Sequence, residues 1–171
     1  MTARPSISAE RGFYVVRCAT VAALAYRLAV LVGLQHPVWA PMSALIVSQG
    51  TVTATLQSIW GRCLGTLTGV AAALLVSWLG GFVGLGVMLQ VGMAVALCAT
   101  IAVEQPQLRV CLWTCPIILT SGVAGQATAL VATSRVAEVV LGAAVGGLLA
   151  AVSELLQARL SRVRPLLQPE P

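Results

Sequence analysis

Ten Arg and five Glu carry all the formal charge of this 171-residue sequence; Lys and Asp are absent. The position of one arginine is costly. Arg27 falls about 14 residues into an apolar run over 13–34, near the middle of a bilayer if that run crosses one. A guanidinium at that depth costs several kcal/mol unless it is paired or hydrated. Arg27 therefore reads as an anion-contacting group in a path through the membrane, or as a donor to a helix-end carbonyl. Arg offers carboxylates a two-pronged fork and keeps its charge while doing so. Arg17 lies ten residues earlier and is expected to snorkel toward the interface. Arg62 opens the third apolar run beside Gly61, as a basic entrance to the path or as a topology anchor.

Other polar residues punctuate the apolar runs. His36 is the sole histidine and begins the turn His36-Pro37-Val38-Trp39-Ala40-Pro41. One His without Cys or carboxylate neighbours in sequence makes no metal site, so a solvated turn residue is expected rather than a proton sensor. Gln49 ends the second run and Gln126 ends the fifth. Glu104, Glu138 and Glu154 are expected to pair with nearby Arg. Cys18, Cys63, Cys98, Cys111 and Cys115 lie in or at the edges of apolar runs with no zinc or CxxC spacing, and read as small buried apolar residues. No nucleophile–base pair, phosphate loop or dinucleotide fingerprint is present. An enzyme is not expected, nor a cofactor, nor a metal. The expected substrate path comprises Arg27, His36, Trp39, Gln49, Arg62 and Gln126.

The elements that position these residues follow from composition. Apolar residues make up 58% and charged residues 9%, against roughly 25% charged in a soluble domain. Mean hydropathy is +0.95. So few charges cannot furnish a polar shell, which excludes a nucleic-acid-binding domain, a disulfide scaffold and a disordered chain. The partner implied is the lipid bilayer.

Crossings of about 20 residues give six segments over 13–34, 37–49, 59–79, 82–103, 110–131 and 135–153. Residues 1–12 and 154–171 form short tails, and Gly80-Gly81 supplies the turn between segments three and four. The first run is too long for a cleaved signal and reads as a retained helix. Alternation typical of barrel strands is missing. With six crossings, eight arginines (4, 11, 17, 62, 109, 159, 162 and 164) fall on the side of both termini and Arg135 alone on the other. That asymmetry predicts cytoplasmic termini in a plasma membrane. Trp60 and Trp78, about 27 Å apart along one helix, mark the two interfaces.

Two passages recur at a spacing of 77. Ser48-Gln49-Gly50-Thr51 matches Gly125-Gln126-Ala127-Thr128, and Leu64-Gly65 with Gly69 matches Leu141-Gly142 with Gly146. Three crossings per half would invert the second half relative to the first, over about 13–80 and 81–153. Gly61, Gly65 and Gly69, and likewise Gly142 and Gly146, permit close helix approach. They are expected to join segments three and six, or two subunits. Segments two and five are short or broken by Pro and Gly, which points to a substrate path.

These pieces resemble a known family. Arg17 before an Ala-rich helix, the turn from Gln35 to Pro41, Ser48-Gln49, and Arg62-Cys63-Leu64-Gly65-Thr66 with Gly69 are similar to the fusaric acid resistance and aromatic acid exporter superfamily, over roughly 14–152. The resemblance implies an inner-membrane six-helix unit that exports aromatic or other organic carboxylates, with Pro37 and Trp39 on the family turn and Arg62, Gly65, Thr66 and Gly69 on its helix start. Relatives with paired six-helix units imply a homo-oligomer, most simply a dimer. The expectation is an all-α membrane protein that moves organic anions, and no nucleic acid among its partners. The alternative is a membrane scaffold or assembly partner that transports nothing.

Overall fold

The computed structural model describes residues 7–123 and 128–163, with side chains over 11–121 and 128–159. Six α-helices account for nearly all of the described residues, and no strand occurs among them. They are α1 (Ile7–Leu31), α2 (Trp39–Val47), α3 (Val52–Val83), α4 (Val87–Glu104), α5 (Cys111–Val123) and α6 (Thr128–Val163), with a 3₁₀ turn at Pro106–Leu108 before α5. Four of these, α1, α3, α4 and α6, are long and apolar enough to cross a membrane. The protein is a multi-pass membrane protein.

Local chemistry explains the boundaries. Pro41 falls in the first turn of α2, where a missing N–H costs nothing. At the other end of this nine-residue helix, Arg17 donates to the carbonyls of Ser48 and Gln49 at 3.4 Å. Arg17 thus covers the negative end of α2 rather than only snorkelling. Helix α3 starts at Thr51, whose hydroxyl accepts the Ala54 N–H, and the Glu154 carboxylate accepts the Val52 N–H at 2.8 Å. In α5, Pro116 leaves the Leu112 carbonyl without its usual helical donor, and the Cys115 thiol lies 3.9 Å from that oxygen.

Three sequence expectations about boundaries change. Gly80-Gly81 is not the turn: α3 runs on to Val83 and ends at Gly84, which takes φ +67°. Gly80 stays helical and buried because the Gln90 side chain fills the space beside it. Helix α1 ends at Leu31, so Arg27 sits about one turn from the helix end rather than at mid-span. Helix α6 begins at Thr128, and Arg135 therefore lies about two turns inside it rather than at the boundary of the sixth segment.

The glycine ladders pack helices, but not α3 against α6 as expected. A Cβ on Gly61, Gly65 or Gly69 would press on Gln107, on Leu108 and Val110, or on Cys111 and Thr114, so the α3 ladder seats the 3₁₀ turn and α5. A Cβ on Gly142 or Gly146 would strike the carbonyl oxygen of Ala40 or Ala44, so the α6 ladder seats α2. Two apolar clusters result. One joins α3, α4 and α5 with Val131 and Ala132 of α6. The other joins α1 and α2 through Val21, Ala25, Ala29, Ala40 and Ala44, backed by Leu141, Val145 and Leu149 of α6. The neighbour pairs exchange into one another when α1, α2 and α3 are swapped for α4, α5 and α6: α1–α2 becomes α4–α5, α1–α6 becomes α3–α4, and α2–α6 becomes α3–α5. Helices α3 and α6 meet each other between the clusters.

Candidate functional site

Trp39 and Ser43 stand four residues apart on α2, one turn along the same face. Each receives a buried arginine from a different long helix. Arg135 of α6, 2% exposed, lays its guanidinium over the Trp39 ring, 3.6 Å from the ring centre. Arg62 of α3, 3% exposed, donates from Nε to the Ser43 hydroxyl at 3.2 Å. The remaining buried donors have no protein partner: Nε, Nη1 and Nη2 of Arg135, and Nη1 of Arg62. Arg135 lies within electrostatic reach of both the Arg62 cation and the Glu138 carboxylate.

Glu138 is the one carboxylate at this place, and it is 1% exposed. Its Oε1 accepts the His36 backbone N–H and the Ser134 hydroxyl, each at 2.9 Å. The His36 ring Nδ1 stands 4.0 Å from the same oxygen, the only ion-pair distance among the described residues. The expected Glu–Arg pairing is therefore not what occurs at Glu138 or Glu154: Glu138 accepts the His36 N–H in the turn before α2, and Glu154 accepts the Val52 N–H at the start of α3.

His36, Trp39, Arg135 and Glu138, with Ile117 and Ser121 of α5 and Val131, line a partly open cavity of about 30 Å³. That volume suits a water molecule or a small ion; a cavity that holds benzene is roughly 150 Å³. Two guanidiniums against one carboxylate leave a surplus positive charge in a buried place. Uncompensated buried charge costs several kcal/mol, so the chemistry favoured here is attraction of an anion, with Arg135 as its nearest donor.

The structure brings some expected path residues together and separates others. His36 and Trp39 line the cavity, and Arg62 lies one α2 turn away through Ser43. Arg27 is exposed on α1, about 200° around the helix from the buried Ala25 and Ala29. Gln49 is exposed at the opposite end of α2, its side chain donating to the Ile46 carbonyl. Gln126 lies outside the described residues. Sequence reading missed Arg135, Glu138 and Ser43 as site residues. The signal was there: two charges three residues apart inside an apolar stretch, which is costly unless both face a protein interior. Treating Arg135 as a segment boundary hid it.

Other clusters offer no competing centre. Cys98, Cys111 and Cys115 are buried between α4 and α5, with the Cys111 thiol 3.6 Å from the Cys98 carbonyl. Among the described residues, no group of three His, Cys, Asp or Glu stands close enough to hold a metal ion.

The family described as fusaric acid resistance protein-like matches residues 21–149. No curated protein and no solved structure matches the chain.

Proposed function

Since the chain belongs to the fusaric acid resistance protein-like family, we propose that it is a membrane transporter that moves organic anions, aromatic carboxylates among them, by way of Arg135 and Arg62. The single observation that carries this reading is the buried, unpartnered guanidinium of Arg135 at the edge of a cavity. Its fork suits a carboxylate, and the Trp39 ring beside it suits an aromatic group. The cavity is far smaller than such a substrate, so this conformation is a closed one. Opening requires α2 and the second half of α5 to part, since Trp39 belongs to one and Ile117 and Ser121 to the other. Both are the short helices, held by fewer turns than their neighbours.

The exchange symmetry of the neighbour pairs supports two inverted three-helix repeats. Arg17, Gln49, Val52 and Glu154 gather at one end of the bundle, which supports both termini sharing a side. The arginine asymmetry, counted without the buried Arg62 and Arg135, supports placing that side in the cytoplasm of a bacterial inner membrane. Self-association, most simply as a dimer, completes the proposal.

Binding of benzoate to the purified protein in detergent tests the reading. Saturable binding that Arg135→Gln weakens roughly tenfold or more, the loss of a charge-assisted contact, supports it. Equal binding by wild type and variant overturns it and favours the scaffold alternative.

A further inference from the structure

We propose that a monovalent inorganic anion of chloride size is the resting occupant of the site, held by Arg135 beside Trp39 with Arg62 one helix turn away. This rests on the reading of the site as an anion path and adds the ion present when no organic substrate is bound.

Three observations carry it. Three nitrogens of Arg135 and one of Arg62 are buried without protein partners, and both side chains are more than nine-tenths buried. Buried donors of charged groups are nearly always satisfied, by protein or by something bound. The charge balance is two guanidiniums against one carboxylate, so one negative charge neutralises these three buried groups. Glu138 attracts Arg135 but makes no hydrogen bond or ion pair to it among the described residues: its Oε1 accepts the His36 N–H and the Ser134 hydroxyl, and the Arg135 guanidinium stacks on Trp39. Finally, about 30 Å³ holds a monatomic ion and is too small to surround a benzoate or a gluconate.

The consequence for transport is exchange. An organic carboxylate reaching Arg135 displaces the small anion, so the two compete for the same guanidinium.

Thermal unfolding of the full-length protein in detergent tests this, with gluconate replaced stepwise by chloride at constant ionic strength and pH. Wild type shows a saturable rise in Tm with chloride, as expected for a ligand that binds only the folded state; bromide does the same. Arg135→Gln loses the response, Arg135→Lys retains it, and in gluconate Arg135→Gln is no less stable than wild type. Should Arg135→Gln not fold, a protein with Trp39 as its sole tryptophan (Trp60, Trp78 and Trp113 each replaced by Phe) gives a second measurement. Bromide then quenches Trp39 with saturation and chloride relieves it. A Tm independent of chloride, an undiminished response in Arg135→Gln, or purely linear quenching overturns the proposal. A benzoate arm separates the two readings. Stabilisation by benzoate without any by chloride sinks the resting anion and leaves the organic-anion path standing. No effect of either ion removes both.

Discussion

The guanidinium of Arg135 lies 3.6 Å from the centre of the Trp39 ring, while all three of its nitrogens lack a protein hydrogen-bond partner. The residue that α6 contributes at this point is thus oriented by an aromatic face and left free at its donors. A ring holds a guanidinium by its quadrupole without consuming N–H groups, which is the arrangement a ligand-binding arginine needs.

Trp39 is therefore a positioning residue. Trp39→Phe keeps an aromatic face and should keep most benzoate affinity. Trp39→Leu removes it and should weaken binding by roughly 1–2 kcal/mol, the worth of a desolvated cation–π contact. Titration of the two purified variants checks this; equal affinity of Leu and Phe would separate the ring from the function.

Glu138 ties α6 to the turn before α2. Glu138→Ala strips the half-buried His36 N–H and the buried Ser134 hydroxyl of their acceptor, and should lower stability by about 1–3 kcal/mol. Glu138→Gln retains an acceptor oxygen and should lose less. Thermal unfolding in detergent reads the order; the reverse order would mean that charge, not hydrogen bonding, dominates.

Backbone contact through the glycines gives a sharper contrast. Gly142→Ala and Gly146→Ala place a methyl against the Ala40 and Ala44 carbonyl oxygens, and Gly69→Ala places one 2.7 Å from Thr114 Cβ. Gly92 has nothing within 4 Å of that position. Overpacking of this kind costs typically 1–3 kcal/mol, so the first three should unfold at lower temperature and Gly92→Ala should not. Indistinguishable melting of all four would refute the packing of α2 on α6.

Much of the fold is legible from charge and length alone. Apolar runs longer than a bilayer, a short second and a Pro- and Gly-broken fifth segment and small-residue ladders each mark a helix or a helix contact, because lipid leaves backbone groups no partner but the helix itself. What stays hidden is which ladder meets which helix. Gly65 and Gly142 look alike in sequence, yet one meets the turn before α5 and the other meets α2, a matter of topology rather than of residue type. The site is half legible. His36, Trp39 and Arg62 stand out by their motifs. Arg135 does not, since a charge in an apolar sequence reads equally as a loop or as a buried ligand contact until the Trp39 ring is seen beneath it. Arg27 stands out for a depth that the helix end at Leu31 removes.

The two arginines set up the most direct measurement. Wild type, Arg135→Gln and Arg27→Gln are reconstituted into proteoliposomes at equal folded amounts, and benzoate flux is followed. Arg135 is buried at the cavity, whereas Arg27 is exposed one turn from the end of α1, within snorkelling reach of the interface. Flux is expected to fall roughly tenfold or more in Arg135→Gln and to stay near wild type in Arg27→Gln. Flux that survives in Arg135→Gln and collapses in Arg27→Gln would contradict this expectation and move the anion path to the outer face of α1.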